Sequence, residues 1–385
     1  MTDTATRLAL TDQRAEFEID DEFAYFNTAA MSPLLRSVRQ AAAEALDRRA
    51  KPWTLSTRDW FGDVDTLRSR FAQLVGAVSI DVALIPATSY GLAVASRNLT
   101  AGAGSRVLVL DQEFPSNHYT WQRFARRTGA ELAVVRREPG QTWTDAIVAA
   151  IDDRVAVVST PNVHWSTGAL IELPQVAKAA RAVGASFIVD ASQSLGVLPV
   201  GVTTLRPDAL VAVGYKWLLG PYSLGYLYLD PSLHGGEPLE ENWIMRAGSD
   251  DFSALSQYQD QYRPGAQRFD VGERTNFQLT PMAAEALSRV LAWAPERIGA
   301  ALRLRTDAIA GAAERLGLSV EPSHSRGPHI VGVELPSDSA HRVASSLAEA
   351  QVVVSVRGTS IRIAPHLHNN DEDVRRLIAA MASAI

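Results

Sequence analysis

The segment Val211-Ala212-Val213-Gly214-Tyr215-Lys216-Trp217-Leu218-Leu219-Gly220-Pro221 sets a single lysine directly behind an apolar run and ahead of a Gly-Pro turn. Burial at such a point disfavours the ammonium form and lowers the pKa, which makes the amine a nucleophile toward an aldehyde. The plain alternative is a lysine whose stem lies on the strand end while its charge reaches water. Upstream, Phe187-Ile188-Val189-Asp190-Ala191-Ser192-Gln193 ends another apolar run with a carboxylate. Ligands of open α/β sheets collect at the carboxyl ends of strands, so Asp190 is expected in the same crevice as Lys216. A carboxylate there can keep a heteroaromatic nitrogen protonated; its plain alternative is a helix cap.

Other segments point to the same edge. Ile85-Pro86-Ala87-Thr88-Ser89-Tyr90-Gly91 passes from strand to helix through two hydroxyls, and the free N–H groups of a helix start suit a phosphate. No Walker-type glycine-lysine pattern occurs, which argues against a nucleoside triphosphate. Phe114, in Glu113-Phe114-Pro115-Ser116-Asn117-His118-Tyr119, is placed either to stack on a heteroaromatic ring or simply to fill the core. Asn162, His164 and Trp165 follow a strand on that edge, although a bonded structural histidine is the commoner fate of a residue like His164. Near the end, Val356-Arg357-Gly358-Thr359-Ser360-Ile361-Arg362-Ile363-Ala364-Pro365 carries two arginines five apart. A guanidinium takes a carboxylate through two parallel hydrogen bonds, as an amino-acid substrate requires. Asn27, Trp53, Tyr90, Trp243 and Arg246 are further candidates for pocket walls, each with a core or surface alternative.

The elements that must position these residues are legible as runs at 82–85, 107–110, 132–135, 155–158, 187–189, 210–213 and 226–229. They lack polar alternation, which suits strands buried on both faces of a largely parallel sheet. Between two of them Val176, Ala179, Ala180 and Val183 fall at helical spacing with Gly184 behind, as a crossover helix should. After Asp270 the pattern changes to helices at 281–293 and 298–316, strands at 329–334 and 361–363, and a last helix from Asp371. This predicts a large α/β domain at 20–265 and a small α+β domain from 1–19 and 266–385.

Composition limits the rest. The 385 residues are 46% hydrophobic and 21% charged, ordinary for a globular chain of two or three packed units. Thirty-seven basic against 43 acidic residues give a net charge of -6, spread without a long like-sign run, which argues against a grip on nucleic acid or anionic lipid. There is no cysteine, so disulfides, thiolate metal sites and cysteine nucleophiles are excluded. No signal-peptide-like stretch opens the chain, and the apolar segment 209–229 holds Lys216 and Pro221, so a cytoplasmic protein is expected.

In this order and at these separations the motifs resemble the class V aminotransferase family of fold-type I enzymes that use pyridoxal 5'-phosphate (PLP). The resemblance runs from Tyr25-Phe26-Asn27-Thr28-Ala29 to Leu367-His368-Asn369, nearly the whole chain. It implies a mostly parallel central sheet flanked by helices, with a smaller α+β C-terminal domain. It implies that Lys216 carries PLP as a Schiff base, that Asp190 faces the pyridine nitrogen and Gln193 the ring oxygen, and that Thr88 and Ser89 hold the phosphate. Tyr90, Phe114, Asn162, His164 and Tyr215 complete the implied cofactor set, while Arg362, Arg357 and Asn27 are the implied substrate contacts. Arg362 matches the Ile-Arg-Ile-Ala-Pro form of the kynureninase-like group and is favoured over Arg357, which sits in the desulfurase register. Phe114 and Tyr215 stand where cysteine desulfurases have histidine, as in kynureninase. Gln193 goes the other way, since kynureninases and isopenicillin N epimerase carry histidine there.

The resemblance also implies a homodimer in which a loop reaches the neighbouring phosphate. Residues 269–276 occupy that place, but Glu273 replaces the usual threonine, and Val213 replaces a serine that Tyr215 is expected to offset. The expected activity is at Cα or Cβ of a small amino acid or amine, by transamination or by β-elimination such as carbon–sulfur cleavage. A desulfurase lacks its sulfur-accepting cysteine here; epimerisation and then kynureninase-type hydrolysis are the next readings. Outside catalysis the alternative is a PLP-binding sensor, for which no DNA-binding module is visible.

Overall fold

The computed structural model describes residues 10, 13–337, 339–357 and 359–385. A two-residue strand, β1 (Ala24–Tyr25), leads into the chain. Each of the seven apolar runs is then a strand of one sheet: β2 (Val82–Ile85), β3 (Arg106–Leu110), β4 (Glu131–Val135), β5 (Val155–Pro161), β6 (Ser186–Asp190), β7 (Ala209–Val213) and β8 (Gly225–Leu229). The spatial order is β2-β8-β7-β6-β5-β3-β4. Only β8 runs against its neighbours, because it returns directly from β7 through loop 214–224 rather than through a crossover helix. The fold is therefore the expected mostly parallel α/β sheet.

Helices cover both faces, which is why the strands tolerate no polar residue in alternation. On one side the helix Thr57–Val75 buries Val64, Leu67, Phe71 and Val75 at helical spacing, with the Phe71 ring stacked on Tyr226 at 4.3 Å. Its start is fixed by a reciprocal capping box between Ser56 and Asp59, and its end by Gly76 at φ +68°. Truncating Phe71 to alanine is expected to cost about 3–5 kcal/mol. On the other side the helices Thr88–Asn98 and Pro115–Thr128 pack Leu92, Val94, Trp121 and Phe124 against Val109, Ile188 and Val211.

A third core gathers Ala24, Phe26, Ile309, Val333, Val343, Ile363 and Leu377. It lies under a four-stranded antiparallel sheet built from β9 (Ser319–Val320), β10 (Val331–Glu334), β12 (Ser355–Arg357) and β13 (Ser360–Ile363), while β11 (Val352–Val353) pairs in parallel with β1. The N-terminal segment thus packs with the C-terminal residues. The helix Leu279–Trp293, in contrast, lends Ala283, Ala284 and Leu287 to the core of the large sheet. A fourth cluster, with Phe17, Trp217, Trp293, Ile298 and Leu367, joins the two regions directly behind Lys216. Among the described residues no helix is long and apolar enough to cross a membrane.

Candidate active site

Strand pairing brings the two charged motifs together. β6 ends at Asp190 and pairs in parallel with β7, setting Asp190 beside Val211. Beyond β7 the chain folds back on itself: the Gly214 N–H donates to Leu224 O at 2.8 Å, and the Gly220 N–H to Gly214 O at 2.8 Å. A Cβ at Gly214 would lie 2.9 Å from that Leu224 oxygen, so a side chain has no room. Leu219 (φ +58°) and Ser223 (φ +64°) take left-handed backbone in this loop, a strain of about 1–3 kcal/mol each that the surrounding packing must hold. Lys216 is thereby fixed at the strand end. On the opposite wall, a Cβ at Gly91 would meet Ile85 and Val211 at 2.7 Å, so glycine lets the helix Thr88–Asn98 lie close on the sheet.

These elements enclose a cavity of about 480 Å³. Its walls include Thr88, Ser89, Glu113, Phe114, Asp190, Gln193, Tyr215 and Lys216, together with Trp165, Ser192, Val213, Tyr222 and Ser223. The helix start at Thr88 has no side-chain cap at Ala87, which leaves its first N–H groups beside the cavity. Thr88 Oγ1 and Ser192 Oγ share a hydrogen bond of 2.9 Å. Phe114 is 38% exposed, unusual for a phenylalanine between a strand and a helix, and its ring meets Trp165 edge-on at 5.8 Å.

The charges of this cavity are buried and thinly compensated. Burial pulls the Lys216 amine down to about 8; Asp190 opposes the shift and Arg362 adds to it. Its Nζ lies 5.4 Å from the centre of the Phe114 ring and has no hydrogen-bond or ion-pair partner among the described residues. Burial likewise pushes the Asp190 carboxyl up, against the pull of Ser192 and Lys216, and Asp190 accepts the Ser192 N–H at 3.0 Å. Gln193 is anchored at both ends: Oε1 accepts the Trp217 indole N–H at 3.0 Å, and Nε2 donates to Ala29 O at 3.0 Å. One Nε2 proton is left.

Four of the expected residues stand elsewhere. Tyr90 turns away, and its hydroxyl donates to Glu240 at 3.0 Å. Asn162 donates to Ile171 O at 3.0 Å and lines a separate groove. His164 is buried, stacked on Trp143 at 5.6 Å, with Nδ1 near the hydroxyls of Ser166 and Thr167, and burial lowers its pKa to about 4. Arg357 is exposed and donates to the neighbouring Val356 O. Arg362 behaves differently. Its guanidinium is buried, donates to Trp165 O (2.9 Å) and Ser355 Oγ (3.2 Å), and has no carboxylate partner among the described residues. Asn27 accepts from Ser355 Oγ at 2.7 Å and lies 3.5 Å from Arg362 Nη2. Of the outer candidates, Trp53 is solvent-exposed, and Trp243 and Arg246 line a second cavity within 241–260.

Segment 269–276 is tied into the core. Asp270 accepts from Arg68 (3.1 and 2.8 Å), Arg274 (2.6 Å) and the Leu84 N–H (2.8 Å). Burial alone would raise its pKa, but the two guanidinium groups hold it below the usual carboxylate range. Thr275 donates to Trp60 O at 2.6 Å, and Glu273 is exposed in left-handed backbone at φ +60°.

Several cavity residues carry no role in the sequence reading. Ser192 follows two places after Asp190 in the same motif, and Tyr222 follows the Gly-Pro turn, so proximity was a usable signal for both. Glu113 gave no signal beyond its neighbour Phe114.

Residues 24–377 match the family model for class-V aminotransferases. The chain belongs to this family, and it is a PLP-dependent enzyme of the transferase and lyase type. An uncharacterized aminotransferase, YcbU, of Bacillus subtilis is 28% identical over 318 residues, covering 82% of each chain. Isopenicillin N epimerase of Streptomyces clavuligerus is 24% identical over 388 residues, covering 96% of this chain and 97% of its own. A solved structure of the cystine C-S lyase C-DES with its product cysteine persulfide superposes with a TM-score of 0.85 at 19% identity, covering 94% of this chain and 98% of its own, a likeness of fold.

The cavity fits PLP on its own evidence. A buried amine with no hydrogen-bond or ion-pair partner among the described residues, a carboxylate at the far strand end, an uncapped helix start and a half-exposed aromatic ring face one space. Each complements a different part of a phosphorylated pyridine aldehyde.

Proposed function

We propose that this enzyme acts at Cα or Cβ of a small amino acid or amine, by transamination or by β-elimination such as carbon–sulfur cleavage. The observation that carries the reading is the buried Lys216 amine, unpaired and lowered to about 8, sharing a cavity with Asp190. In this reading Lys216 holds PLP, Asp190 faces its ring nitrogen, Phe114 covers the ring, Gln193 offers its remaining N–H to the ring oxygen, and Thr88 and Ser89 take the phosphate. Tyr215 stands beside the amine, 5.8 Å from Nζ to its ring centre. When bound, PLP supplies an electron sink for negative charge at the substrate Cα.

The chain's own groups do the rest. Arg362 is a cation without a carboxylate, oriented by Trp165 and Ser355, and it receives the substrate carboxylate in the two-pronged geometry that guanidinium favours. Lys216 would act as the base toward the Cα proton, and burial, by lowering its pKa to about 8, makes the free amine more accessible near neutral pH than in an ordinary lysine. Burial raises the Asp190 pKa, and in this reading the ring nitrogen it faces, together with the Ser192 N–H, would hold its negative charge. Where the proton returns, or whether a Cβ group leaves, sets the outcome. The missing cysteine removes an acceptor for sulfur within the chain, and does not touch reactions whose sulfur departs with the product.

Epimerisation is the second reading, favoured by the near full-length match to isopenicillin N epimerase. We further infer a homodimer with the cavity near the subunit interface and a cytoplasmic location. The test is a screen of amino acids by mass spectrometry, with and without pyruvate. Keto-acid or eliminated products support the proposal; inversion of configuration as the sole outcome overturns it in favour of the epimerase.

A further inference from the structure

One wall residue of the cavity is unlike the others. Glu113 is a carboxyl at the loop between β3 and the helix Pro115–Thr128, 8% exposed and lining the same space as Asp190 and Lys216. Its Oε1 accepts the backbone N–H of Phe114 at 2.7 Å. Its Oε2 is buried without a partner among the described residues. No lysine or arginine among the described residues pairs with it. Beside it, Asn117 is oriented by two donors on its Oδ1, Trp121 Nε1 at 2.8 Å and Ser159 Oγ at 2.9 Å, which leaves the Asn117 amide nitrogen as a donor next to Glu113.

The groups facing Glu113 are Asp190 at the end of β6, Lys216 behind β7, and Asn117 on its own helix, itself held by Ser159 of β5. A second carboxylate charge next to Asp190 is repelled, and a buried one without a cation is poorly solvated. The nearby helix start favours an anion, but the effect is weaker than this desolvation.

We propose that Glu113 is a positioning residue of the PLP site: a neutral carboxylic acid that hooks the Phe114 backbone, and so sets the ring over the cavity, while leaving Asp190 the only carboxylate charge on the cofactor's ring edge. This rests on the PLP reading of the site. Burial, reinforced by Asp190 and opposed by the Phe114 N–H and by Asn117, pushes the Glu113 carboxyl up to about 8. Glutamine is its isostere in the working state, since both are uncharged and both can accept the Phe114 N–H. As pH rises through 8, Glu113 ionises and a second negative charge appears beside Asp190. That charge favours the protonated form of the bound cofactor, so the holoenzyme spectrum should carry a titration step near pH 8.

The experiment compares wild type, Glu113→Gln and Glu113→Ala. Absorbance from pH 6 to 10 is followed on the holoenzymes, and PLP affinity is measured by fluorescence titration of the apoproteins. We expect Glu113→Gln to bind PLP within about threefold of wild type and to lose the step near pH 8. Glu113→Ala should bind about tenfold more weakly through loss of the Phe114 hook. Equal weakening in both variants would show that the charge is needed, and a step retained in Glu113→Gln would assign it to another group; either result overturns the proposal. Should the variants not fold, infrared difference spectra of wild-type apoprotein between pH 6 and 10 decide. A protonated-carboxyl band that disappears near pH 8 supports the proposal, and its absence overturns it. Failure of the PLP reading itself is separate: wild type would then take up no borohydride-fixable PLP at all.

Discussion

Two buried clusters of charge in this molecule are built on opposite plans. At Asp270 a carboxylate lies between two guanidinium groups and a backbone N–H, with four hydrogen bonds to one side chain. In the cavity, the Lys216 amine has no such partner among the described residues and Asp190 keeps one backbone donor. A buried ion costs several kcal/mol in desolvation unless its partners are well placed. The Asp270 cluster meets that cost inside the chain and fastens segment 269–276 to the helix Thr57–Val75 through Arg68. The cavity leaves the cost unmet, a condition that a ligand carrying an aldehyde, a ring nitrogen and a phosphate relieves. The first plan belongs to architecture and the second to chemistry.

The contrast can be broken most sharply at Lys216. Lys216→Ala should abolish borohydride-fixed PLP in the digested protein and lower turnover by at least about 10³-fold. Label persisting at wild-type levels on another residue would remove the distinction. Asp270→Asn should leave Arg68 and Arg274 buried without their anion and cost about 3–5 kcal/mol in urea denaturation. Asp190→Asn, equally buried, should change stability by less than about 1 kcal/mol yet slow turnover by about 100-fold. If both aspartates behaved alike in the two assays, the division into architecture and chemistry would be wrong. At the substrate end, Arg362→Ala should raise KM by about 10- to 100-fold, and Arg357→Ala by less than about twofold, in steady-state kinetics.

The smallest effect is a dependence on pH. Lys216 titrates near 8 in the folded chain, against an ordinary value of 10.5. Below pH 8 both states hold the proton; between 8 and 10.5 the unfolded state holds more, so stability rises with pH across that window. Relative to Lys216→Met, the apoprotein should gain on the order of 1–3 kcal/mol over it in denaturant titrations. A flat difference would mean that the amine is solvated after all.

Much of the architecture was legible because it is local. Strands buried on both faces need unbroken apolar runs, and all seven runs became strands. Sheet rules then carried Asp190, Lys216, Thr88 and Phe114 to one edge. What failed was direction. Asn162 and His164 lie beyond the right strand, but the Ile171 carbonyl and the Trp143 ring, set by packing outside the motif, turn them from the cavity. The choice between Arg357 and Arg362 depended on place along the strand pair: both lie on one face, but Arg362 stands opposite the buried Ser355, while Arg357, opposite Ser360 at the end of β12, meets solvent. The burial of Glu113 and the pairing of Asp270 with Arg68, 202 residues away, had no local signature at all.

Gln193 shows how this site is prepared for its ligand. Because Trp217 and Ala29 already fix both ends of its side chain, its rotamer is chosen when the polypeptide folds. On the proposed reading, in which Gln193 meets the ring oxygen, little conformational freedom would be surrendered on association, so affinity for the vitamin-derived group would not be drained by freezing that contact. The Ala29 tether couples the amino-terminal stretch to the rim of the sheet, and loosening it or the Trp217 tether should surface first as a slower, weaker capture of the cofactor.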